Sequence, residues 1–591
     1  MAAPERWLAP ELDTAGARRL QAALGLRAPA ARILWHRGYR DEEAARLFLT
    51  APLSGIHSPL LLRDMDRAAE RLHQAIRNGE TILLYGDYDV DGTSAIVILS
   101  KAIELAGGRS IWHVPHRLRD GYGMRPEVID QANAQGVSLI VSVDTGIRAA
   151  AVVEHARTLG IDVIVTDHHL PETAHGVAAL PPALAVLNPN RPDCGYPEKN
   201  LCGAAVAFKL AQALLDRMEW HVARRQRVLE SFLKMVAIAT VADMVPLTGE
   251  NRVLVKHGLE GLKSTRNPGL RQLMQLAGVE EGSVPTATQI AFQVAPRINA
   301  AGRMASAGEV IELFLTSDPA RAQALAEQLN LLNLERRDTE AGIVEPIIQQ
   351  YSVADLEGQF ALVFSAPGWH RGVVGIAASR LVERYSRPVF VLGEEDGVAN
   401  GSGRSIPQFH LLNALESMAD LFTKFGGHRQ AAGVTLPASR VAEFRERLAA
   451  YARERLTPDD LKPSLALDLE TDFRELTDDA VAEVLAMAPF GFGNPKPVAA
   501  VYGVEIAAAP ELKNERHLFL RLRQGGRLLM AKWWNFAPNG AGGSQLGPAA
   551  ALNGLEQGNR LDVAFTLEED RYSASRGFAP WQIVLRAIRP A

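Results

Sequence analysis

The chain has 591 residues, 47% of them hydrophobic, a formal net charge of −5 and two cysteines. That length and apolar content can build several cores and predict three or four domains, while the charge excludes a generally basic coat, so a polyanionic ligand has to be met by local positive tracks or by cations. Cys194 and Cys202 alone cannot supply a thiolate-rich metal centre and fit a reducing cytoplasm. No long apolar stretch follows the opening Met1-Ala-Ala-Pro-Glu-Arg6, which predicts neither a secretory signal nor a membrane span.

Residues 1–55, with Trp7, Trp35 and Tyr39, read as a helical N-terminal extension. A catalytic domain is expected over 56–315: from about 60 to 245 apolar β-like runs alternate with helical stretches such as Pro126–Ala134 and Ala149–Leu159, the pattern of a parallel α/β sheet, and helical segments follow. The first run, Thr81-Ile-Leu-Leu84, leads into Tyr85-Gly-Asp-Tyr-Asp-Val-Asp-Gly-Thr-Ser94. If the strand continues, alternation turns Asp87, Asp89 and Asp91 to one face, and Gly92 allows a sharp entry into the next helix. A calcium loop would need Glu at the twelfth position from Asp87, where Ile98 stands; an acidic helix cap is the other plain reading.

The motif recurs in kind. Ser138–Val143 ends in Asp144-Thr-Gly146, Ile161–Thr166 ends in Asp167-His168-His169, and Asp243 interrupts the apolar run Ala237–Pro246, where an unpaired charge would be costly. Carboxylates and imidazoles at comparable strand ends predict one shared site. An oxygen-rich set with one or two imidazoles suits Mn²⁺ or Mg²⁺ better than Zn²⁺. Two such cations roughly 3.5–4 Å apart support in-line phosphoryl displacement, which points to phosphoester hydrolysis.

Downstream, Ala320–Gln349 within a connector of 316–352 reads as one long helix with Leu325, Leu329, Leu332, Ile343 and Ile347 near one face, and Pro346 predicts a kink or stop. A second α/β lobe over 353–458 begins at the strand Ala361–Phe364 and carries Gly426, Gly427 and His428, whose backbone amides and ring could cradle a phosphate. Arg297 and Arg303, in a motif with Asn299, and Arg371 and Arg404, each beside Gly or Ser, are candidate phosphate clamps. His116, Arg117 and Arg119 are further candidates. From 459 to 591 five short runs, Val498–Ile506, His517–Arg523, Arg527–Trp533, Arg560–Leu567 and Trp581–Ile588, predict a small barrel. Its Arg516, His517, Arg521, Arg523, Arg527, Lys532, Trp533 and Trp534 combine charge with ring faces suited to single-stranded nucleic acid.

Gly86–Gly92, Val143–Gly146, Asp167–His169 and Val241–Asp243 resemble the four successive motifs of the DHH phosphoesterase superfamily, and Lys424–Gly433 is similar to the glycine signature of its associated DHHA1 domain. Pro296–Arg303, Trp369–Ile376 and Gly401–Ser405 resemble the RecJ family within it. The resemblance implies an OB-fold tail and metal-dependent 5′-to-3′ hydrolysis of single-stranded DNA in repair and recombination, with a helicase and a single-strand-binding protein as partners and the strand threaded between two lobes. It implies that Asp89 and Asp91 bind different metals bridged by Asp144, that His168 and Asp243 complete one shell, that Asp87 supports the turn or the shell, and that His169 lies near the scissile phosphate. Smaller superfamily members carry a His ligand where this chain has Tyr85. A phosphodiesterase of short oligonucleotides or cyclic dinucleotides, or a non-catalytic replication scaffold, are the alternatives.

Overall fold

The structure is a computed structural model that describes residues 6–9, 11, 13–117, 119–121, 123–174, 177–536, 554–575 and 579–591. Met1–Glu5 of the opening stretch, Leu118 and Tyr122 of the 114–123 stretch, and residues 537–553 and 576–578 of the expected barrel lie outside the described residues. The chain forms two compact units. Leu47–Arg336 with Ala488–Pro495 make the first; Met1–Arg46, Arg337–Met487 and Lys496–Ala591 make the second.

The first unit is built on five parallel strands, β1 (Thr81–Gly86), β2 (Arg109–His113), β3 (Val137–Val143), β4 (Asp162–Thr166) and β5 (Ala185–Leu187), in the order β2-β1-β3-β4-β5. Helices cover both faces, which is why the central strands read as continuous apolar runs. Ile82 and Leu84 join Val141, Val143 and Ile164 in a core with the helices Met65–Arg77, Val90–Leu105 and Gly203–Asp216, while Leu83 and Tyr85 face a second core with Ile140, Val163, Ile129 and Val153. Register matters more than order here. Gly86 lies opposite Val143, Val143 opposite Thr166, and Thr166 opposite Leu187. The next residues, Asp87, Asp144, Asp167 and Asn188, therefore leave the sheet at one level, at the carboxyl ends where open α/β sheets place their sites.

The second unit contains the later half of a 32-residue helix, Pro319–Gln350. The helix runs through Pro346 to Gln350, so the expected stop at that residue falls one turn late. Leu325, Leu329, Ile343 and Ile347 are buried and Leu332 is half-buried. A mixed sheet follows, with strands β6 (Leu362–Pro367), β7 (Val389–Glu395), β8 (Val398–Arg404), β9 (Lys424–Gly427) and β10 (Ala431–Pro437) in the order β9-β10-β8-β7-β6.

Each of the five expected tail strands is present. They close into a ring because Val498–Ile506 pairs with Arg560–Glu569 on one side and, through Glu505 and Ile506, with His517–Gln524 on the other. The N-terminal helices Thr14–Leu24 and Ala28–His36 belong to this unit, with Arg32 bound to Glu475 and Arg37 Nε donating to Asp468 at 2.8 Å. The extension thus braces the region that leads into the barrel. Among the described residues, no helix is long and apolar enough to cross a membrane.

One buried ion pair fixes the entry to the first unit. Lys209 Nζ donates to Glu250 at 2.5 Å with both side chains shut off from solvent, and Glu250 also accepts from Tyr196 Oη at 2.7 Å and from the His57 amide at 3.0 Å. Such a pair is costly to halve, since the remaining charge stays buried. Glu250→Ala is expected to lower unfolding stability by about 3–5 kcal/mol, read by urea denaturation; a change below about 1 kcal/mol would refute a buried, charged pair.

Candidate active site

Asp87 and Asp89 sit in the turn between β1 and the helix Val90–Leu105, and Asp91 sits in that helix's first turn. The convergence expected from strand alternation is instead produced by a cap. Asp89 Oδ1 accepts the Asp91 and Gly92 amides at 2.9 and 3.1 Å, satisfying two of the helix's unpaired donors. Gly92 serves close packing rather than an unusual backbone angle: a Cβ there would lie 2.5 Å from the Asp87 carbonyl oxygen. Asp91 is buried and bonded by the Gly203 and Ala204 amides at 2.6 and 2.7 Å, at the start of the helix Gly203–Asp216, where the dipole favours an anion. Gly203 has no room for a side chain, because a Cβ would stand 2.6 Å from that of Asp144.

Asp144 follows β3 with φ +58°, a left-handed backbone uncommon for a residue with a Cβ. Asp243 caps the helix Val222–Ala242 from its C-terminal end. His168 Nε2 reaches Asp144 Oδ1 at 3.2 Å and both Asp91 Oδ2 and Asp243 Oδ2 at 3.8 Å. Ligand-type atoms of Asp87, Asp89 and Asp144 form one group within 4.8 Å, those of Asp91, His168 and Asp243 a second, and those of Asp144, His168 and His169 a third. Asp144 and His168 thus link groups around one centre.

The electrostatics of this cluster are unfavourable as it stands. Burial, then the Asp89 charge, holds the Asp87 carboxyl well above its ordinary range. Burial and the charges of Asp91, Asp89, Asp87 and Asp243 do the same to Asp144, and burial with Asp91 and Asp89 pushes Asp243 up to about 9. Burial holds the His168 imidazole below its usual value. The donor set fits divalent cations: Asp87 Oδ1 and His168 Nε2 are buried without a hydrogen-bond partner, and the ligand-type residues of the three groups are carboxylates apart from His168 and His169. Cys202 is buried near Asp91 and Asp243, and burial and those charges raise its thiol far above neutrality.

Asp167 acts as the carboxylate beside the paired imidazoles that the sequence suggested, while Asn188 and Asn190 were not singled out there. Asp167 accepts from His169 Nδ1 at 2.8 Å and from the Ile147, His168 and His169 amides. Burial opposes charge on both partners, yet their bond and attraction leave Asp167 lowered and His169 raised. Asn188 Nδ2 and Asn190 Nδ2 hold the carbonyls of His169 and His168 at 2.8 and 2.6 Å. Asn188 carries a readable signal, since it directly follows an apolar strand. Arg117 sits 4.8 Å above the Tyr88 ring, and its charge favours ionised Asp87 and Asp89 against their burial. Tyr85 is fully buried in the second core, with Oη donating to the Gly123 carbonyl at 3.3 Å and its ionisation pushed up to about 12 by burial.

Other expectations fare unevenly. Arg297 donates to Asn330 at 3.0 Å, to Leu276 O at 2.9 Å and to Gln293 O, which ties helices together and engages at least three of its five donors. Asn299 accepts the Val90 amide at 3.2 Å and so holds the first motif in place. The charge of half-buried Arg303 bears on Tyr88. In the second unit, Arg371, Ser402, Lys424 and Gly426 line a cavity of about 410 Å³, and the Arg404 guanidinium stands 3.3 Å from where a Gly375 Cβ would be. Gly427 instead meets a packing demand, because a Cβ would come within 2.4 Å of Ala431 O, and the exposed His428 closes this turn by donating its amide to Ala431 O at 2.8 Å. On the barrel, Arg521 and Arg523 stay about half exposed beside Glu511 and Glu505. Lys532 departs from expectation, being engaged by Asp570 at 2.9 Å and Gln582 at 2.5 Å, and Trp533 packs on Phe536 at 5.1 Å.

Because Asp243 titrates near about 9 in the metal-free fold, against roughly 4 when unfolded, folding takes up protons between those values and metal-free stability falls as pH rises through that window. Asp144→Asn removes a second group of this kind. In EDTA at pH 8 it is expected to raise the melting temperature by about 3–5 °C while abolishing the rise that Mn²⁺ gives the wild type; lower stability in EDTA would contradict the repulsive character of the cluster.

Residues 81–240 match the DHH family N-terminal domain, 357–454 the DHHA1 domain and 467–579 the RecJ OB domain. The single-stranded-DNA-specific exonuclease RecJ of Bacillus subtilis strain 168 is 34% identical over 602 residues, covering 100% of this chain and 74% of that protein. The protein of the same name from Dickeya dadantii strain 3937 is 37% identical, covering 90% of this chain and 92% of its own. The crystal structure of RecJ in complex with Mn²⁺ from Thermus thermophilus aligns over 100% of this chain and 80% of that one, with TM-score 0.81 and 31% identity. Three domain matches in order, with relatives above 30% identity over most of their length, place the molecule: the chain belongs to the RecJ family of DHH phosphoesterases.

Proposed function

We propose that this chain hydrolyses single-stranded DNA from the 5′ end to mononucleotides, using two Mn²⁺ or Mg²⁺ ions. The observation that carries this reading is the buried cluster of Asp87, Asp89, Asp91, Asp144, His168 and Asp243, whose carboxylates repel one another unless cations join them. When bound, such ions activate a water and stabilise charge on the phosphate oxygens of an in-line displacement.

The chain's own residues handle position and protons. Asp167 fixes the His169 ring through Nδ1 and favours its protonated form, which sets a positive donor beside Asp144 for a phosphate oxygen. Asp91, gripped by two helix amides, cannot rotate away when substrate arrives. The cavity lined by Arg371, Ser402, Lys424 and Gly426 supplies cationic and amide donors suited to a phosphate, and the 5′ polarity of this reading comes from the resemblance to the RecJ family. The outer face of the barrel, with Arg521, Arg523 and exposed Trp534, suits a strand whose bases stack while its phosphates track charge. We place this activity in cytoplasmic DNA repair and recombination, where a helicase and a single-strand-binding protein would supply and hold the strand.

Two measurements test this. Single-stranded DNA labelled at either end is incubated with Mn²⁺, Mg²⁺ or EDTA, using wild type and Asp144→Ala; metal-dependent release of mononucleotides from the 5′ end, lost in the variant, is expected. Release from the 3′ end, or failure of the folded wild type to cut long strands, would overturn the reading. Asp167→Asn is expected to lower kcat by about 10–100-fold while the Mn²⁺-induced melting shift persists; unchanged kcat would remove His169 orientation from the mechanism.

A further inference from the structure

Eight residues flanked on both sides by the second unit, Ala488–Pro495, belong compactly to the first. This loop is tightly built. Gly491 and Asn494 exchange backbone hydrogen bonds at 2.8 and 3.2 Å, and buried Asn494 donates its side chain to Pro489 O at 2.8 Å. Buried Arg252 donates Nη2 to Ala488 O at 2.8 Å and Nε to Phe48 O at 2.6 Å. The Leu247 amide donates to Phe492 O at 2.8 Å. Close packing leaves no slack, since a Cβ on Gly493 would lie 2.7 Å from that of Pro246 and one on Gly491 2.7 Å from Leu247 Cδ1.

A loop so fully bonded could hide its apolar side chains, yet Phe492 at its tip is 57% exposed. Its anchor Leu247 lies four residues after Asp243, so the loop is tied to the metal-ligand candidate by at most about 14 Å of chain. Between them Met244 adopts φ +56°, a strained angle for a residue with a Cβ, and is 67% exposed. Two large apolar groups are thus exposed on segments linked to Asp243, Met244 as its neighbour in the chain and against backbone preference, Phe492 on a rigid mount through its bond to Leu247. An aromatic face and a polarizable thioether are surfaces on which any nucleobase can rest without regard to sequence.

We infer that Phe492 and Met244 form a base-stacking shelf that positions the nucleotides of the single strand next to the scissile phosphate. They are positioning residues, and the inference rests on the nuclease reading of the same site. It gives a physical role to a loop whose ends lie in the other unit. It also predicts that the enzyme senses bases near the reaction centre without reading their identity.

The test compares steady-state cleavage of oligo(dT) with cleavage of an otherwise identical strand carrying tetrahydrofuran abasic units in its first five positions. Wild type is expected to show a KM about tenfold higher on the abasic strand. Phe492→Ala should raise KM on oligo(dT) by about five- to tenfold, leave KM on the abasic strand unchanged, and recover with Phe492→Trp. Met244→Gly, which relieves the backbone strain, should raise KM on oligo(dT) by about threefold without lowering the melting temperature. Equal losses for Phe492→Ala on both strands, or no loss on either, would overturn the shelf while leaving the nuclease assignment standing. A folded wild type that cuts neither strand would instead overturn the nuclease assignment and this inference with it.

Discussion

Mutual repulsion among Asp87, Asp89, Asp91, Asp144 and Asp243 is the constraint on which the rest of the first unit depends. These carboxylates come from separate turns and helix ends, and their convergence out of water opposes ionisation strongly enough to push Asp243 up to about 9. A fold relaxing freely would separate them. What prevents this is the register of β1, β3, β4 and β5, which delivers Asp87, Asp144 and Asp167 to one level of a sheet buried on both faces. The hydrophobic layers hold the acids in place, and the energy they contribute is stored as affinity for cations.

Local devices make that repulsion tolerable. Asp89 caps one helix and Asp91 accepts amides from the start of another, so two of the negative groups sit where backbone dipoles favour them. Arg117 and the raised His169 add positive charge at the margin. Glycine at 203 has a distinct task, admitting the helix end so close to Asp144 that even a methyl group would displace the ligand. These features are steric and electrostatic solutions to one problem, which explains why they surround the acids rather than scatter through the sheet.

Much of this was legible because the chemistry is written in short contiguous words. Asp87–Gly92, Asp144–Gly146 and Asp167–His169 each follow an apolar run, and a parallel sheet converts that repeated grammar into one site. The five barrel strands were legible through their turn residues and alternation. Features set by partners distant in sequence were not. Arg297 gives no sign of its bonds until Leu276, Gln293 and Asn330 are seen around it, and Lys532 looks free until Asp570 arrives from the end of the next strand. Asp87, Asp89 and Asp91 converge by helix capping rather than by strand alternation, a distinction that depends on where β1 stops. The placement of Ala488–Pro495 had no sequence signal, since its flanks on both sides belong elsewhere.

Division of labour between the units follows from where the ligands originate. Every residue of the acidic and imidazole cluster lies between positions 87 and 243, within the first unit. The second unit holds features of another kind: a cavity with Arg371 and Lys424, and a barrel face on which Arg521 and Arg523 remain half exposed. Under the function proposed above, these groups would meet phosphates and bases in general rather than one particular base. A nuclease assembled this way separates bond breaking, which demands a rigid arrangement of acids, from strand handling, which demands spaced and tolerant contacts. The exception is the loop carrying Phe492, where eight residues flanked by the second unit join the first, and where the shelf inferred above would bring the substrate's bases to the chemistry.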